Sequence, residues 1–207
     1  MNLVKNRTVG VLAMQGAYHK HIDAIRRLGA RAIEVRTAAD LDSSDSLIIP
    51  GGESTTIGKL IVKNNLIIPV KKRIGEGMAV FGTCAGMILL AKSVQGMEQP
   101  LIGAMDIAVE RNAYGRQIDS FETGLQVKGL AGNAMKAVFI RAPRITYTWG
   151  SVEILASYGG VPVMVRQGNL FAASFHPELT DDLRVHSLFI SAVQVSEGRQ
   201  FFNRSNV

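Results

Sequence analysis

The chain has 207 residues, of which 47% are hydrophobic and 19% charged, with a formal net charge of +6 and a single cysteine. This balance fits one folded domain with a sizeable core and excludes a disordered chain. The lone cysteine excludes an intramolecular disulfide framework, and no apolar run nears the roughly 20 residues that cross a bilayer. The polar start, Met1 to Arg7, does not read as a signal peptide, so a cytoplasmic location is expected. The positive charges are scattered. Their small clusters, Arg26-Arg27 and Lys71-Lys72-Arg73, lack interleaved aromatics and read as solvated helix faces rather than a nucleic-acid patch.

Thr8 to Met14 is a β-branched, apolar run and predicts a buried first strand. After Gln15-Gly16, the residues Tyr18, Ile22, Ile25 and Leu28 recur at helical spacing, and Gly29 ends the pattern. Strands follow at Arg31–Val35 and Ser46–Ile49, the second stopped by Pro50-Gly51-Gly52. A helix is predicted from Ser54 to about Asn64, and a shorter one near Ile67–Ile74. Met78–Phe81 is the fourth strand, and the helix after Cys84 is apolar all round and therefore buried. Strands alternating with helices predict an α/β fold: a three-layer, mostly parallel sheet with helices on both faces, flavodoxin-like. In the second half, Ile107–Glu110, Phe121–Val127, Ala137–Ile140, Val152–Ala156, Val161–Arg166 and Leu170–Phe175 read as strands. Turns at Tyr114-Gly115, Gly159-Gly160 and Gly168-Asn169 separate them, and the strands are expected to extend the same sheet. Asp181–Val195 predicts a closing amphipathic helix with Thr180 as N-cap. The tail after Gly198 is polar.

Chemistry concentrates at carboxyl ends of parallel strands, where such sheets bind ligands. Cys84 lies in Phe81-Gly82-Thr83-Cys84-Ala85-Gly86, between a strand and a helix. Alone, that pattern fits either an inert core thiol or a nucleophile on a tight elbow. Of the four histidines, His19, His21 and His186 fall on predicted helices and read as solvated. His176 follows a strand and is held by Pro177. If the segment is extended, Glu178 at i+2 points the same way and can orient the ring. His-Pro-Glu alone equally fits a turn with a surface ion pair. Beside Cys84, each motif supplies what the other lacks. The Ala85 N–H and the Pro50-Gly51-Gly52 turn are candidate oxyanion donors.

Gly82-Thr83-Cys84-Ala85-Gly86 with Phe175-His176-Pro177-Glu178 resembles the class I, triad-type glutamine amidotransferases. Three further motifs are Pro50-Gly51-Gly52-Glu53-Ser54-Thr55-Thr56, Glu110 to Gln117, and Phe139-Ile140-Arg141-Ala142-Pro143. They are similar to the family of glutaminase subunits of pyridoxal 5′-phosphate synthase. The likeness runs from about Val9 to Val195, within a single domain spanning 1–207, and leaves the tail 198–207 and Tyr147-Thr148-Trp149-Gly150 unmatched.

The resemblance implies a Cys84–His176–Glu178 triad that hydrolyses L-glutamine to glutamate and ammonia through a thioester. It implies substrate contacts from Gly52, Glu53, Ser54, Arg111, Ile140 and Arg141, and an oxyanion hole from Gly52 and Ala85. An arginine suits the substrate carboxylate, and Glu53 its ammonium. No cofactor and no metal are implied. The implied partner is a (β/α)8-barrel synthase subunit in a large hetero-oligomer. It receives the ammonia through a tunnel, docks near Gln15-Gly16 and completes the oxyanion hole. Two other readings compete: an amidotransferase subunit of another pathway, such as imidazole glycerol phosphate synthesis, and a catalytically silent regulatory subunit.

Overall fold

The computed structural model describes residues 7–96, 98–111 and 120–193. The tail, the end of the expected closing helix and most of the motif after Arg111, with its Tyr114-Gly115 turn, lie outside the described residues. The first half is β1 (Thr8–Leu12), α1 (Tyr18–Arg27), β2 (Arg31–Val35), α2 (Ala38–Asp42), β3 (Ser46–Ile49), α3 (Ser54–Lys63), α4 (Ile67–Gly75), β4 (Ala79–Thr83) and α5 (Ala85–Leu90). Local chemistry sets several boundaries. Gly29, at φ 82°, supplies the left-handed residue that ends α1. The Glu53 carboxylate caps α3 by accepting from the Thr55 and Thr56 N–H groups at 3.1 and 2.7 Å. The short α2 was not anticipated, although a Thr37–Asp40 capping box marks it.

The second half is β5 (Ala91–Gln95), β6 (Met105–Glu110), β7 (Ser120–Leu125), β8 (Met135–Ile140), β9 (Arg144–Thr148), β10 (Glu153–Tyr158), β11 (Val161–Gln167), β12 (Leu170–Ala173), a 3₁₀ turn (Pro177–Leu179) and α6 (Arg184–Ser191). Among the described residues the main sheet has seven strands in the order β10-β11-β12-β4-β3-β1-β2. From β12 to β2 all neighbours are parallel, and β10 and β11 add an antiparallel edge. No helix among the described residues is long and apolar enough to cross a membrane.

Strand alternation divides the interior in two. Val9, Val11, Ile48, Phe81, Val163 and Phe171 face one core, shared with α1 and α6. Leu12, Leu47, Ile49, Val80, Val165 and Leu170 face the other, shared with α3 and α5. The near-continuous apolar strands are thus covered on both faces.

Two expectations are corrected here. Only β10, β11 and β12 extend the main sheet; β5, β6 and β9 form a separate three-stranded sheet, and β7 and β8 pair alone. The hairpin lies over one core, to which it contributes Leu125, Met135, Ala137 and Phe139. The strand β6 turns Met105, Ile107 and Val109 into the other. Each is a covering layer with one apolar face, which strand pattern alone does not distinguish from an edge strand. The last helix starts at Arg184, with Leu183 rather than Thr180 before it. Thr180 instead closes the preceding turn, its hydroxyl donating to the Pro177 carbonyl at 3.3 Å.

Candidate active site

Cys84 sits at the carboxyl end of β4, between β3 and β12, with φ 49° and ψ −102°. A non-glycine residue in such a region costs on the order of 1–3 kcal/mol and persists only where its surroundings hold it. Here the Cys84 N–H donates to the Ala173 carbonyl at 2.8 Å. The flanking glycines make room: a Cβ on Gly82 would meet the Gly86 carbonyl at 2.5 Å, and one on Gly86 would meet the Ile49 carbonyl at 2.0 Å. The elbow is therefore a close packing of β4, α5 and β3. Every residue of α5 is buried, as its apolar sequence predicted.

His176 arrives from β12 and is held by its N–H, which donates to the Val138 carbonyl of β8 at 2.8 Å. Its Nδ1 lies 2.7 Å from Glu178 Oε1. The expected pairing is present, but not through an extended segment. Glu178 lies in the 3₁₀ turn, which Pro177 starts, and the turn brings its carboxylate back to the ring. Burial lowers the His176 pKa, but hydrogen bonds with Cys84 and Glu178 outweigh that and push it up to about 10. Burial raises the Glu178 carboxyl, yet the neighbouring histidines His21 and His176 hold it down to about 2. The arrangement can accept a proton from the thiol and hold it as a buried imidazolium.

A cavity of about 370 Å³ opens over Cys84, lined by Gly52, Glu53, Ser54, Arg111, Ile140, Arg141 and His176, with Gln15 and Ile88. The candidate substrate-binding residues, separated by up to about half the chain, all line this one cavity. Arg111 donates to Glu53 Oε1 at 3.0 Å and to the Thr55 hydroxyl at 3.1 Å. Glu53 thus shares its carboxylate between the α3 cap and Arg111; against burial, hydrogen bonds from the Thr56 hydroxyl and N–H and from Thr55 hold it down to about 2. Arg141 has φ 44°, a strained backbone at the cavity rim. The Ile140 carbonyl stands 3.8 Å from Cys84 Sγ.

Gly51 and Gly52 are required by close approach. A Cβ on Gly51 would meet His176 Cε1 at 2.4 Å, and one on Gly52 would meet Gln15 Oε1 at the same distance. The Gly51 carbonyl faces Gly16, where a Cβ would come within 1.9 Å of it. The N–H of Gly52, on the same planar peptide, points the opposite way. Gln15, which no chemical motif flagged, holds this loop by accepting from the Glu53 N–H at 2.9 Å. Ala85, the first residue of α5, is 1% exposed.

The histidine reading needs correction. His19 is exposed, but His21 and His186 are fully buried. They lie where α1 and α6 meet behind Glu178, and His21 Nδ1 is 3.0 Å from His186 Nε2. The helical spacing of His21 with Ile22 and Ile25 carried this information, since it places His21 on the buried face of α1. Among the described residues no group of three or more His, Cys, Asp and Glu side chains is placed to hold a metal ion.

A mixed α/β sheet carrying a strained cysteine elbow at its carboxyl edge, backed by a histidine–glutamate pair, defines the class of the molecule. The chain belongs to the SNO glutamine amidotransferase family, whose model matches residues 11–195. A relative from Moorella thermoacetica, named pyridoxal 5′-phosphate synthase subunit PdxT, is 53% identical over 89% of this chain and 98% of its own. A crystal structure described as a glutamine amidotransferase is 51% identical, with TM-score 0.86 over 89% of this chain and 98% of that one. A more distant solved structure, PurLQS from Thermotoga maritima, shares the fold at 17% identity and TM-score 0.65, covering 92% of this chain and 100% of that one.

Proposed function

We propose that this chain is a single-domain, cytoplasmic glutaminase subunit that releases ammonia from L-glutamine for a pyridoxal 5′-phosphate synthase. Cys84 attacks the side-chain amide carbon. His176 takes the thiol proton and delivers it to the leaving ammonia, while Glu178 orients the ring and balances its charge. Water then cleaves the thioester and glutamate leaves. The N–H groups of Ala85 and Gly52 receive the oxyanion. Arg111 and the Ile140-Arg141 backbone bind the amino-acid end of the substrate, beside Gly52, Glu53 and Ser54.

The observation that carries this reading is the convergence of Cys84, His176 and the candidate binding residues on one cavity, with Glu178 at 2.7 Å behind the histidine. The relatives named as pyridoxal 5′-phosphate synthase subunits support a synthase partner; in our reading that partner is a (β/α)8 barrel that accepts the ammonia within a hetero-oligomer. The decisive experiment is a glutamate-release assay with and without that partner. Release is expected to be weak alone and to rise on its addition, and Cys84→Ala is expected to abolish it. Full activity of Cys84→Ala would overturn the mechanism, and no response to the synthase subunit would overturn the partner.

A further inference from the structure

We propose that His21 is a positioning residue for the triad: its Nε2–H braces the outer oxygen of Glu178, and His186 fixes the tautomer that allows this. The inference rests on the catalytic roles proposed above for Cys84, His176 and Glu178.

Glu178 has two carboxylate oxygens and one task assigned so far. Oε1 meets His176 Nδ1 at 2.7 Å. Oε2 is buried and has no hydrogen-bond partner among the described residues. His21 Nε2 faces it at 3.4 Å, with both side chains fully buried. That is longer than a good hydrogen bond, as catalytic contacts often are before substrate binds. An ionised carboxylate is acceptor-only, so a ring nitrogen facing it must present its hydrogen and not its lone pair. Burial holds His21 below its ordinary pKa, so the ring is neutral and carries one N–H. With the hydrogen on Nε2, Nδ1 becomes an acceptor. His186 Nε2, at 3.0 Å, is then the donor. Burial holds His186 down to about 3, so it too is neutral. Its Nδ1 is left bare and has no partner among the described residues. A buried bare acceptor is a smaller loss than the buried unpaired N–H that the opposite tautomers would leave there. The hydrogen bonds then run one way, from His186 to His21 to Glu178, and meet the His176 N–H arriving at the other oxygen. Two donors from opposite sides lock the carboxylate plane, which aims the His176 ring at Cys84. The Thr83 hydroxyl oxygen, 3.3 Å from His21 Nε2 and next to Cys84, accepts a share of the same Nε2 hydrogen and so ties the ring to the elbow.

The test has two parts. Nitrogen-15 NMR of the histidine-labelled wild-type chain reads the tautomer without any substitution. His21 is expected neutral with hydrogen on Nε2, and hydrogen on Nδ1 would overturn the inference. In the complex with the synthase subunit, His21→Leu is expected to lower kcat about 10- to 100-fold, the size of a small misalignment at the reacting atoms, with KM for glutamine within about twofold. His21→Gln, whose amide can still donate to Glu178, is expected to recover most of that loss although it unfolds in urea no later than His21→Leu. Equal kcat for the two variants would overturn the inference, as would a wild-type kcat in His21→Leu. A Glu178→Gln variant separates the failures. If it is impaired while His21→Leu is not, only the positioning role falls; if it keeps full activity, the triad reading falls as well.

Discussion

At the scale of residues, the site is a contest between burial and charge. Glu178 is 6% and His176 8% exposed, yet each is held in its charged form, His176 by hydrogen bonds with Cys84 and Glu178, and Glu178 by His21 and by His176 at 2.7 Å. This sets a pH dependence of stability with a definite sign. Folding raises the His176 pKa from 6.5 to about 10, so its contribution is full below pH 6.5 and is lost as the pH rises through about 10. Folding lowers the Glu178 pKa from 4.5 to about 2, so its contribution is full above pH 4.5 and is lost as the pH falls through about 2. Between pH 4.5 and 6.5 both are complete. Urea unfolding across pH is expected to show the largest stability gap between wild type and Glu178→Gln in that window, and a narrowing gap on either side. A gap that does not change with pH would contradict the pairing.

At the scale of elements, glycine packing decides where Cys84, the proposed nucleophile, stands. A methyl group on Gly86 would press on the backbone of β3, 2.0 Å from the Ile49 carbonyl. Backbone inside a parallel sheet yields little, so Gly86→Ala is expected to destabilise the chain by about 3 kcal/mol, at the upper end of overpacking costs. Gly75, the last residue of α4, has nothing within 4 Å of its would-be Cβ. Gly75→Ala is expected to stabilise by about 0.5 kcal/mol, through lost freedom of the unfolded chain. Urea denaturation of the pair checks both signs. The same scale shows what was legible beforehand. β3 falls where its apolar run predicted, because a buried parallel strand writes itself as such a run, and β2 keeps its predicted bounds although, as an edge strand, it buries only Val35 fully. β5 was missed because its sequence, Ala-Lys-Ser-Val-Gln, is mostly exposed and continues α5 without a break. β9 was missed for a related reason: its pattern is only half buried, and Tyr147, 66% exposed, stacks on Trp149 at its end.

At the scale of the whole molecule, the hairpin β7–β8 links the second half of the chain to the site. Phe139 stacks on Phe121 at 4.5 Å and packs on Phe175 at 5.7 Å, one residue before His176. Its neighbour Val138 accepts the His176 N–H. Phe139→Ala is expected to cost about 3–5 kcal/mol of stability, the usual range for a buried aromatic, and to lower glutaminase turnover as His176 loses its seat. Urea unfolding with steady-state kinetics on the same sample checks this. Unchanged turnover in a folded, destabilised variant would show that the hairpin only covers the core.

The sequence alone determined the α/β alternation, the elbow at Cys84, the His176–Glu178 pair and the motifs that surround the cavity. All of these are local: periodicity, a turn that only glycine permits, or neighbours two residues apart. Tertiary structure alone decided what lies behind and around them. Helical spacing places His21 on the apolar face of α1, but it does not say what that face meets, so the contact of His21 with His186, 165 residues away, could not be seen. The bond from Gln15 to the Glu53 N–H and the Arg111–Glu53 pair likewise depend on which loops the sheet order brings to one edge. Cys84 was recognisable from its neighbours in the chain, but the support behind its proposed triad comes from α1 and α6, which meet only once the sheet face they both cover has formed.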